Sequence, residues 1–179
     1  MGNCICHQES NDVPAELQVI DLQMPDELYQ ASTDQNTPTV SFENMKKKIK
    51  VLRVLDGDTL DIALYHEDTR KIFKYRVRLY GIDTPEKKPL KSDPNRDKEM
   101  EASKKSSAAM QQKVDENQQM MYLLFHTPDK YGRLLGTLYD KKGVNMNQWM
   151  IEQGYATEYF GKTKKSFDQV LSERDQKIV

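Results

Sequence analysis

The chain has 179 residues, with 27 Lys and Arg against 28 Asp and Glu, a formal net charge of −1. Residues 1–45 contain eight acidic residues and neither Lys nor Arg, so residues 46–179 hold 27 basic and 20 acidic residues, a net charge of +7. No apolar run approaches the roughly 18 to 20 residues that cross a bilayer. Two cysteines are too few for a disulfide framework or a four-cysteine zinc site. We therefore predict an acidic tail, 1–45, and a basic soluble domain, 46–179.

The first six residues, Met-Gly-Asn-Cys-Ile-Cys, approach the pattern for N-terminal myristoylation. Gly2 would carry the myristate, and Cys4 and Cys6 would be palmitoylation sites, although Cys6 stands where the pattern has Ser or Thr. One myristoyl chain binds membranes weakly and the tail has no basic residues, so cysteine acylation is the available second anchor. We expect a lipoprotein on the cytoplasmic face of a membrane. The alternative is a cytoplasmic protein with two free thiols at an ordinary terminus.

The rest of the tail, residues 7–45, is rich in Gln, Asp, Glu, Ser, Asn and Pro. Such a composition buries too little apolar surface to offset the entropy lost on ordering. We predict a disordered acidic spacer.

From residue 46 onward, short β-branched runs alternate with turn signals. The first three predicted strands are Ile49–Leu55, Thr59–Tyr65 and Phe73–Ile82. The short loops between them indicate an antiparallel meander. Alternation in the third strand places Lys74, Arg76 and Arg78 on one face and apolar side chains on the other.

The second half of the domain predicts a helix, two strands and two further helices. Residues 97–117 contain no Gly or Pro and favour the first helix. The later elements are strands Met120–Phe125 and Leu134–Tyr139 and helices Asn145–Gln153 and Ser166–Gln176. Five short strands with a helix after the third indicate an α+β fold, a five-stranded OB-type β-barrel with three helices. Another small α+β fold would give the same pattern.

Acidic and cationic side chains fall where the predicted strands meet loops. Asp58 lies in an Asp-Gly turn, which is first of all a hairpin signal, while Asp83 follows the strand that carries Arg78. Two aspartates at the ends of different strands could share a hard divalent cation. Glu86 could act as a base, and Arg78 and Arg133 could hold a phosphate. These are the residue types that metal-assisted phosphodiester cleavage needs.

Four segments in this order resemble the staphylococcal nuclease (thermonuclease) family over residues 47 to about 175. They are Val54–Thr59, Arg78–Glu86, Asp129–Arg133 and Glu152–Ala156. The resemblance implies a five-stranded OB-type barrel with three helices, which agrees with the element order above. It also implies calcium-dependent hydrolysis of DNA and RNA to products with a 3′-phosphate.

The resemblance assigns roles to individual residues. It implies that Asp58, Asp83 and the main-chain carbonyl of Thr84 bind Ca²⁺. It implies that Glu86 is the general base or orients the attacking water. The remaining matched positions are Arg78 and Arg133 at the scissile phosphate and Lys130 and Tyr131 at the nucleotide pocket. The aromatic nucleotide contact falls on Tyr159 or Phe160, and the resemblance does not decide between them.

Two other classes of function compete with an active, monomeric nuclease. One is a domain that kept the fold but lost the chemistry and binds nucleic acid or protein. The other is a lipidated adaptor whose tail recruits partners. Inactive domains usually lack acidic or Arg members of the site, whereas all of them are present here, and the adaptor leaves them unexplained. The completeness of the site favours the enzyme.

Overall fold

A computed structural model of the chain describes residues 30–161 and 166–170. The predicted lipidation sites Gly2, Cys4 and Cys6 lie outside these residues. The elements are β1 Lys46–Asp56, β2 Thr59–His66, β3 Lys71–Leu79, β4 Ile82–Asp83, α1 Arg96–Glu116, β5 Met120–His126, β6 Leu134–Tyr139, α2 Met146–Glu152 and β7 Thr157–Glu158. A third helix, α3, covers 167–170.

The five long strands close into a barrel in the order β1-β2-β3-β6-β5. The first three form the predicted antiparallel meander, and β5 closes the barrel by pairing antiparallel with β1. Only β3 and β6 run parallel among the paired barrel strands. This arrangement with three helices confirms the predicted OB-type fold class.

Alternating side chains of the strands fill the barrel, as the period of two predicts. Leu60, Ile62, Val77, Phe125 and Leu138 are each at most 1% exposed. Helices α1 and α2 add buried side chains to the same apolar cluster, among them Met110, Val114, Met146 and Met150. The barrel and two helices therefore share one core, from which the polar strand ends emerge.

The predicted third strand, Phe73–Ile82, was too long at its C-terminal end. Strand β3 stops at Leu79, and Gly81 has φ of +76°, a left-handed conformation that reverses the chain direction at little cost only for glycine. The next two residues form the separate strand β4, which pairs antiparallel with β7. This bend separates Asp83 from the barrel sheet.

Helix α1 lies within one residue of its predicted bounds, and its inner face carries polar as well as apolar side chains. Glu99, Ser103 and Ser106 are buried there beside Met110 and Val114. The 21-residue α1 is polar along its length, and within the described part of the chain no helix is both long and apolar enough to span a membrane. The polar end of the helix packs at the site described below.

Helix α3 begins where the sequence predicts. Ser166 caps it, because the Gln169 main-chain N–H donates to Ser166 Oγ at 3.3 Å. The remainder of the predicted helix, 171–176, lies outside the described residues.

The chain divides into two units at Val40 and Ser41. In the first, the Thr33 N–H donates to Asn36 Oδ1 at 2.8 Å and forms a local turn. In the second, contact with the barrel begins at Phe42, whose ring centroid lies 5.2 Å from that of Phe125. The domain boundary after residue 45 stays a prediction.

Candidate active site

One guanidinium bridges two carboxylates at the end of the barrel. Arg78 Nη1 lies 2.9 Å from Asp58 Oδ2, and Arg78 Nη2 lies 2.6 Å from Asp83 Oδ1. The pairing of Thr59 with Arg78 brings the β1–β2 turn beside the end of β3, while the bend at Gly81 returns Asp83 to the same place. The structure therefore brings together the three residues that the sequence placed at separate strand ends.

The two carboxylates and the guanidinium are largely buried, and the pKa values of Asp58 and Arg78 are shifted. Asp58 and Asp83 are 3% and 9% exposed, and the Arg78 side chain is 20% exposed. Burial raises the pKa of Asp58 above its ordinary value, although Arg78 and a hydrogen bond from Thr59 Oγ1 oppose the rise. Burial alone would lower the pKa of Arg78, but the two carboxylates raise it. Two buried carboxylates thus share the Arg78 guanidinium.

Helix α1 packs against the β1–β2 turn and contacts its side chains, which the sequence did not reveal. Asp56 Oδ1 accepts from the Gly57 N–H at 3.0 Å and lies 3.4 Å from the hydroxyls of Ser103 and Ser107. A Cβ on Gly57 would lie 2.0 Å from Ser106 Oγ, so only glycine allows this approach. The Asp-Gly signal is both the predicted turn and part of the site.

Glu86 lies in the loop after β4, and α1 fixes its main chain. Its N–H donates to Glu99 Oε1 at 3.0 Å. Glu99 is only 7% exposed, whereas Glu86 itself is exposed. Glu86 also contributes to the raised pKa of Arg78. Sequence reasoning missed Glu99, whose only signal was an acidic residue on the inner face of the predicted helix.

The second predicted arginine belongs to the loop between β5 and β6. Arg133 Nε donates to Asp129 Oδ2 at 2.6 Å, and the Arg133 main-chain N–H donates to Asp129 Oδ1 at 2.9 Å. Burial acts to raise the pKa of Asp129, but these bonds and the Tyr131 N–H together lower it. The Arg133 side chain is 54% exposed, so Asp129 fixes its guanidinium at the loop while solvent can still reach it.

A cleft of about 430 Å³ joins the two arginines to the predicted nucleotide contacts. Its lining includes Arg78, Tyr80, Lys130, Tyr131, Arg133, Tyr159 and Phe160. The Phe160 ring meets the Tyr80 ring edge to face, with centroids 5.7 Å apart. Both aromatic candidates, Tyr159 and Phe160, therefore face the same space.

Asn147 of α2, which sequence reasoning did not identify, hydrogen-bonds to the main chain beside the cleft. Its Nδ2 donates to the carbonyls of Tyr80 and Gly136 at 2.8 and 3.2 Å, and its Oδ1 accepts from the Leu138 N–H. The side chain is buried, and these bonds tie the bend after β3 to β6.

The oxygen donors at the site suit a hard cation. Among the described residues no group of three or more His, Cys, Asp or Glu side chains could hold a metal ion. The carboxylate set is the pair Asp58 and Asp83, followed directly by the buried Thr84. Carboxylate and carbonyl oxygens at buried strand ends are the ligands that hard divalent cations such as Ca²⁺ prefer, so the donor set fits Ca²⁺.

The fold and the site together define an OB-type barrel with an acidic, arginine-bridged cleft at one end. A model of the staphylococcal nuclease homologue family matches residues 76–177. The match covers more than half of the chain, and the chain belongs to this family.

Individual relatives match over about 110 residues. An "Uncharacterized endonuclease" from Escherichia coli O157:H7 is 36% identical over 110 residues, which are 62% of this chain and 60% of that protein. "Succinoglycan biosynthesis protein ExoI" from Rhizobium meliloti is 30% identical over 59% of this chain and 49% of that protein. "Endonuclease YhcR" from Bacillus subtilis is 27% identical over 60% of this chain and 8% of that protein. The matched region therefore spans less than two thirds of each of these relatives.

Proposed function

We propose that this protein is a calcium-dependent nuclease that hydrolyses phosphodiester bonds of DNA and RNA and releases products with a 3′-phosphate. The observation that carries the proposal is the Arg78 guanidinium held between Asp58 and Asp83 beside a cleft that Arg133 also lines. Family membership and the endonuclease names of two relatives support it. Action as a monomer is part of the proposal.

Asp58 and Asp83, with the Thr84 carbonyl, would hold the Ca²⁺ ion. When bound, the ion supplies positive charge near the phosphate oxygens that become more negative in the transition state. The carboxylates are already fixed by Arg78 and by the Thr59 hydroxyl, which donates to Asp58 at 2.8 Å.

The protein's own side chains supply the rest of the chemistry. Glu86 takes a proton from the attacking water, whose oxygen bonds to phosphorus as the 5′ oxygen leaves. Arg78 and Arg133 donate hydrogen bonds to the phosphate oxygens and stabilise the added charge. Loss of one such donor typically costs about 10²- to 10³-fold in rate.

The cleft supports a place for one nucleotide next to the scissile bond. Lys130 Nζ and Arg133 Cζ lie 5.1 and 5.6 Å from the Tyr131 ring centroid, and Tyr131 is 72% exposed. Across the cleft, Tyr159 and Phe160 present further aromatic surface. A base would stack on these rings while the cations meet its phosphates.

The test is cleavage of single-stranded DNA and RNA by the full chain in Ca²⁺ and in EGTA, with Glu86→Ser as the catalytic control. We expect cleavage of both polymers in Ca²⁺, none in EGTA, and loss of at least about 100-fold in the variant. Wild-type protein that binds DNA but does not cleave it in Ca²⁺ would instead indicate an inactive binding module. Equal cleavage by wild type and variant would expose a contaminating enzyme.

We also propose that the protein is tethered to the cytoplasmic face of a membrane through acyl groups on Gly2, Cys4 and Cys6. The support is the terminal sequence alone. Free Ca²⁺ is scarce in the cytosol, and a site with two carboxylates binds it weakly, so the enzyme would stay latent until local calcium rises. A Gly2→Ala variant that remains in the membrane fraction contradicts the tether. Full activity at sub-micromolar Ca²⁺, or with Mg²⁺ alone, contradicts the latency.

A further inference from the structure

A second group of cations covers the outer face of the barrel next to the proposed active site. Arg53 of β1 and Lys74 and Arg76 of β3 surround Asp61 of β2. Asp61 Oδ1 accepts from Arg76 Nε at 2.9 Å, and Asp61 Oδ2 lies 3.6 Å from Lys74 Nζ and 3.9 Å from Arg53 Nη2. We call Arg53, Lys74 and Arg76 the basic face.

One carboxylate cannot neutralise three cations. The Asp61 side chain is 2% exposed, whereas those of Arg53, Lys74 and Arg76 are 66%, 65% and 62% exposed. The buried Asp61 carboxylate therefore neutralises one of the three cations. The four side chains together keep a net charge of +2, and the three cationic ones are exposed to solvent. Exposed ion pairs contribute only about 0 to 1 kcal/mol each to stability. Stability of the sheet alone therefore does not account for three cations around one carboxylate.

The basic face continues directly into the active site. Asp61 pairs with Arg76 and Thr59 pairs with Arg78, so the two arginines stand two residues apart on the same side of β3. A cleft of about 370 Å³ is lined by Arg76 and Arg78 together with Arg133 of the neighbouring loop. A polyanion held by Arg78 and Arg133 would reach Arg76 without leaving positive surface.

We propose that the basic face binds the phosphate backbone of the nucleic-acid strand on one side of the scissile bond and makes the enzyme prefer long strands to short ones. This inference rests on the proposed nuclease function. Its continuity with the two arginines of the cleft favours a nucleic-acid strand over an anionic lipid surface. Base identity would matter little, because the contacts are to phosphates.

The test variant is Arg53→Gln/Lys74→Gln/Arg76→Gln, and the matched control is Lys104→Gln/Lys141→Gln/Lys142→Gln, three exposed lysines outside the face. Binding of a 20-nucleotide DNA strand is measured by fluorescence anisotropy in EGTA over a range of salt concentrations. The test variant should lower the slope of log affinity against log salt by about 2 and weaken binding roughly 100-fold at 0.1 M salt. The control should change affinity less than about threefold.

Cleavage in Ca²⁺ supplies the second readout. The test variant should raise KM for the 20-nucleotide strand far more than KM for a dinucleotide, since a dinucleotide reaches at most the Arg76 end of the face. Equal losses in the test and control variants, or equal losses on both substrates, would overturn the proposal. The proposal also fails if the test variant keeps its DNA affinity but no longer binds phosphatidylserine vesicles, because the basic face would then bind lipid.

Loss of three cations leaves the buried Asp61 carboxylate without a cationic partner, so the triple variant is also made with Asp61→Asn, which removes the buried charge. Retained folding of this quadruple variant with weak DNA binding supports the proposal, and wild-type affinity overturns it. Binding in EGTA does not depend on catalysis. Wild-type protein that binds through the basic face but never cleaves therefore contradicts only the proposed nuclease function.

Discussion

The hydrogen bond between the Glu86 N–H and Glu99 Oε1 gives a sharp test of how the proposed base is positioned. The bond is 3.0 Å long and joins residues 13 apart in sequence, so it closes the base of the loop that follows Glu86. Glu99→Ala removes the acceptor. Because Glu86 is exposed, water can reach its freed N–H, and we expect a loss of unfolding free energy of only about 1 to 2 kcal/mol.

The effect on catalysis should exceed the effect on stability. A misplacement of about 1 Å in a reacting group can cost roughly 100-fold, and we expect kcat of Glu99→Ala to fall by about that factor with KM little changed. Glu99→Gln keeps an acceptor oxygen and should recover kcat to within about fivefold of wild type.

The assay is steady-state cleavage of a short DNA strand in saturating Ca²⁺, with urea unfolding of the same samples. A Glu99→Ala protein that loses stability but keeps kcat within about twofold would refute the positioning role. Equal impairment of the Ala and Gln variants would refute the role of the acceptor oxygen.

Further predictions concern the bridged carboxylates and the turn beneath them. Arg78→Lys should lower kcat by about 10² to 10³, because one ammonium cannot replace the planar fork between two carboxylates, and single-turnover cleavage measures it. Burial raises the pKa of Asp58 above its unfolded value, so ionised Asp58 costs stability as pH rises through the folded pKa. Asp58→Asn should therefore unfold at a higher urea concentration than wild type in EGTA at pH 7. This gain in stability should vanish below the ordinary pKa of Asp. Added Ca²⁺ should stabilise only the wild type. Gly57→Ala should cost about 1 to 3 kcal/mol, because its Cβ would lie 2.0 Å from Ser106 Oγ. Ser106→Ala should be neutral or stabilising in urea unfolding, because within the described residues that buried hydroxyl has no hydrogen-bond partner.

The sequence predicted the parts of the molecule that depend on local pattern. Alternation along β3 assigned Val77 inward and Arg78 outward, and the structure agrees because burial of one face fixes the strand register. The Asp-Gly signal placed the β1–β2 turn for an equally local reason. The chain direction after Leu79 depends instead on Gly81 and on pairing with β7, more than 70 residues away. A periodic pattern does not contain that information.

The side chains that support the site were missed for the same reason. Glu99 and Ser103 are polar residues on the buried face of a helix, where pattern alone favours apolar ones. They are buried because the first half of α1 packs against the polar β1–β2 turn and the Glu86 loop, whereas Met110 and Val114 farther along pack into the apolar core. Sequence resemblance identified the residues proposed to touch substrate, whereas geometry was needed to find those that hold them.

The short pair of strands β4 and β7 makes two parts of the proposed site depend on one another. Asp83 pairs with Thr157, and the Tyr159 N–H donates to the Gly81 carbonyl at 2.9 Å. The same few hydrogen bonds thus set the position of a proposed ion ligand and that of the aromatic segment at the nucleotide cleft. A pair of two-residue strands is marginal by itself, so each strand depends on the other for its position. If binding at the carboxylates orders this contact, we expect it to favour binding at the aromatic segment, and the reverse effect must equal it in free energy.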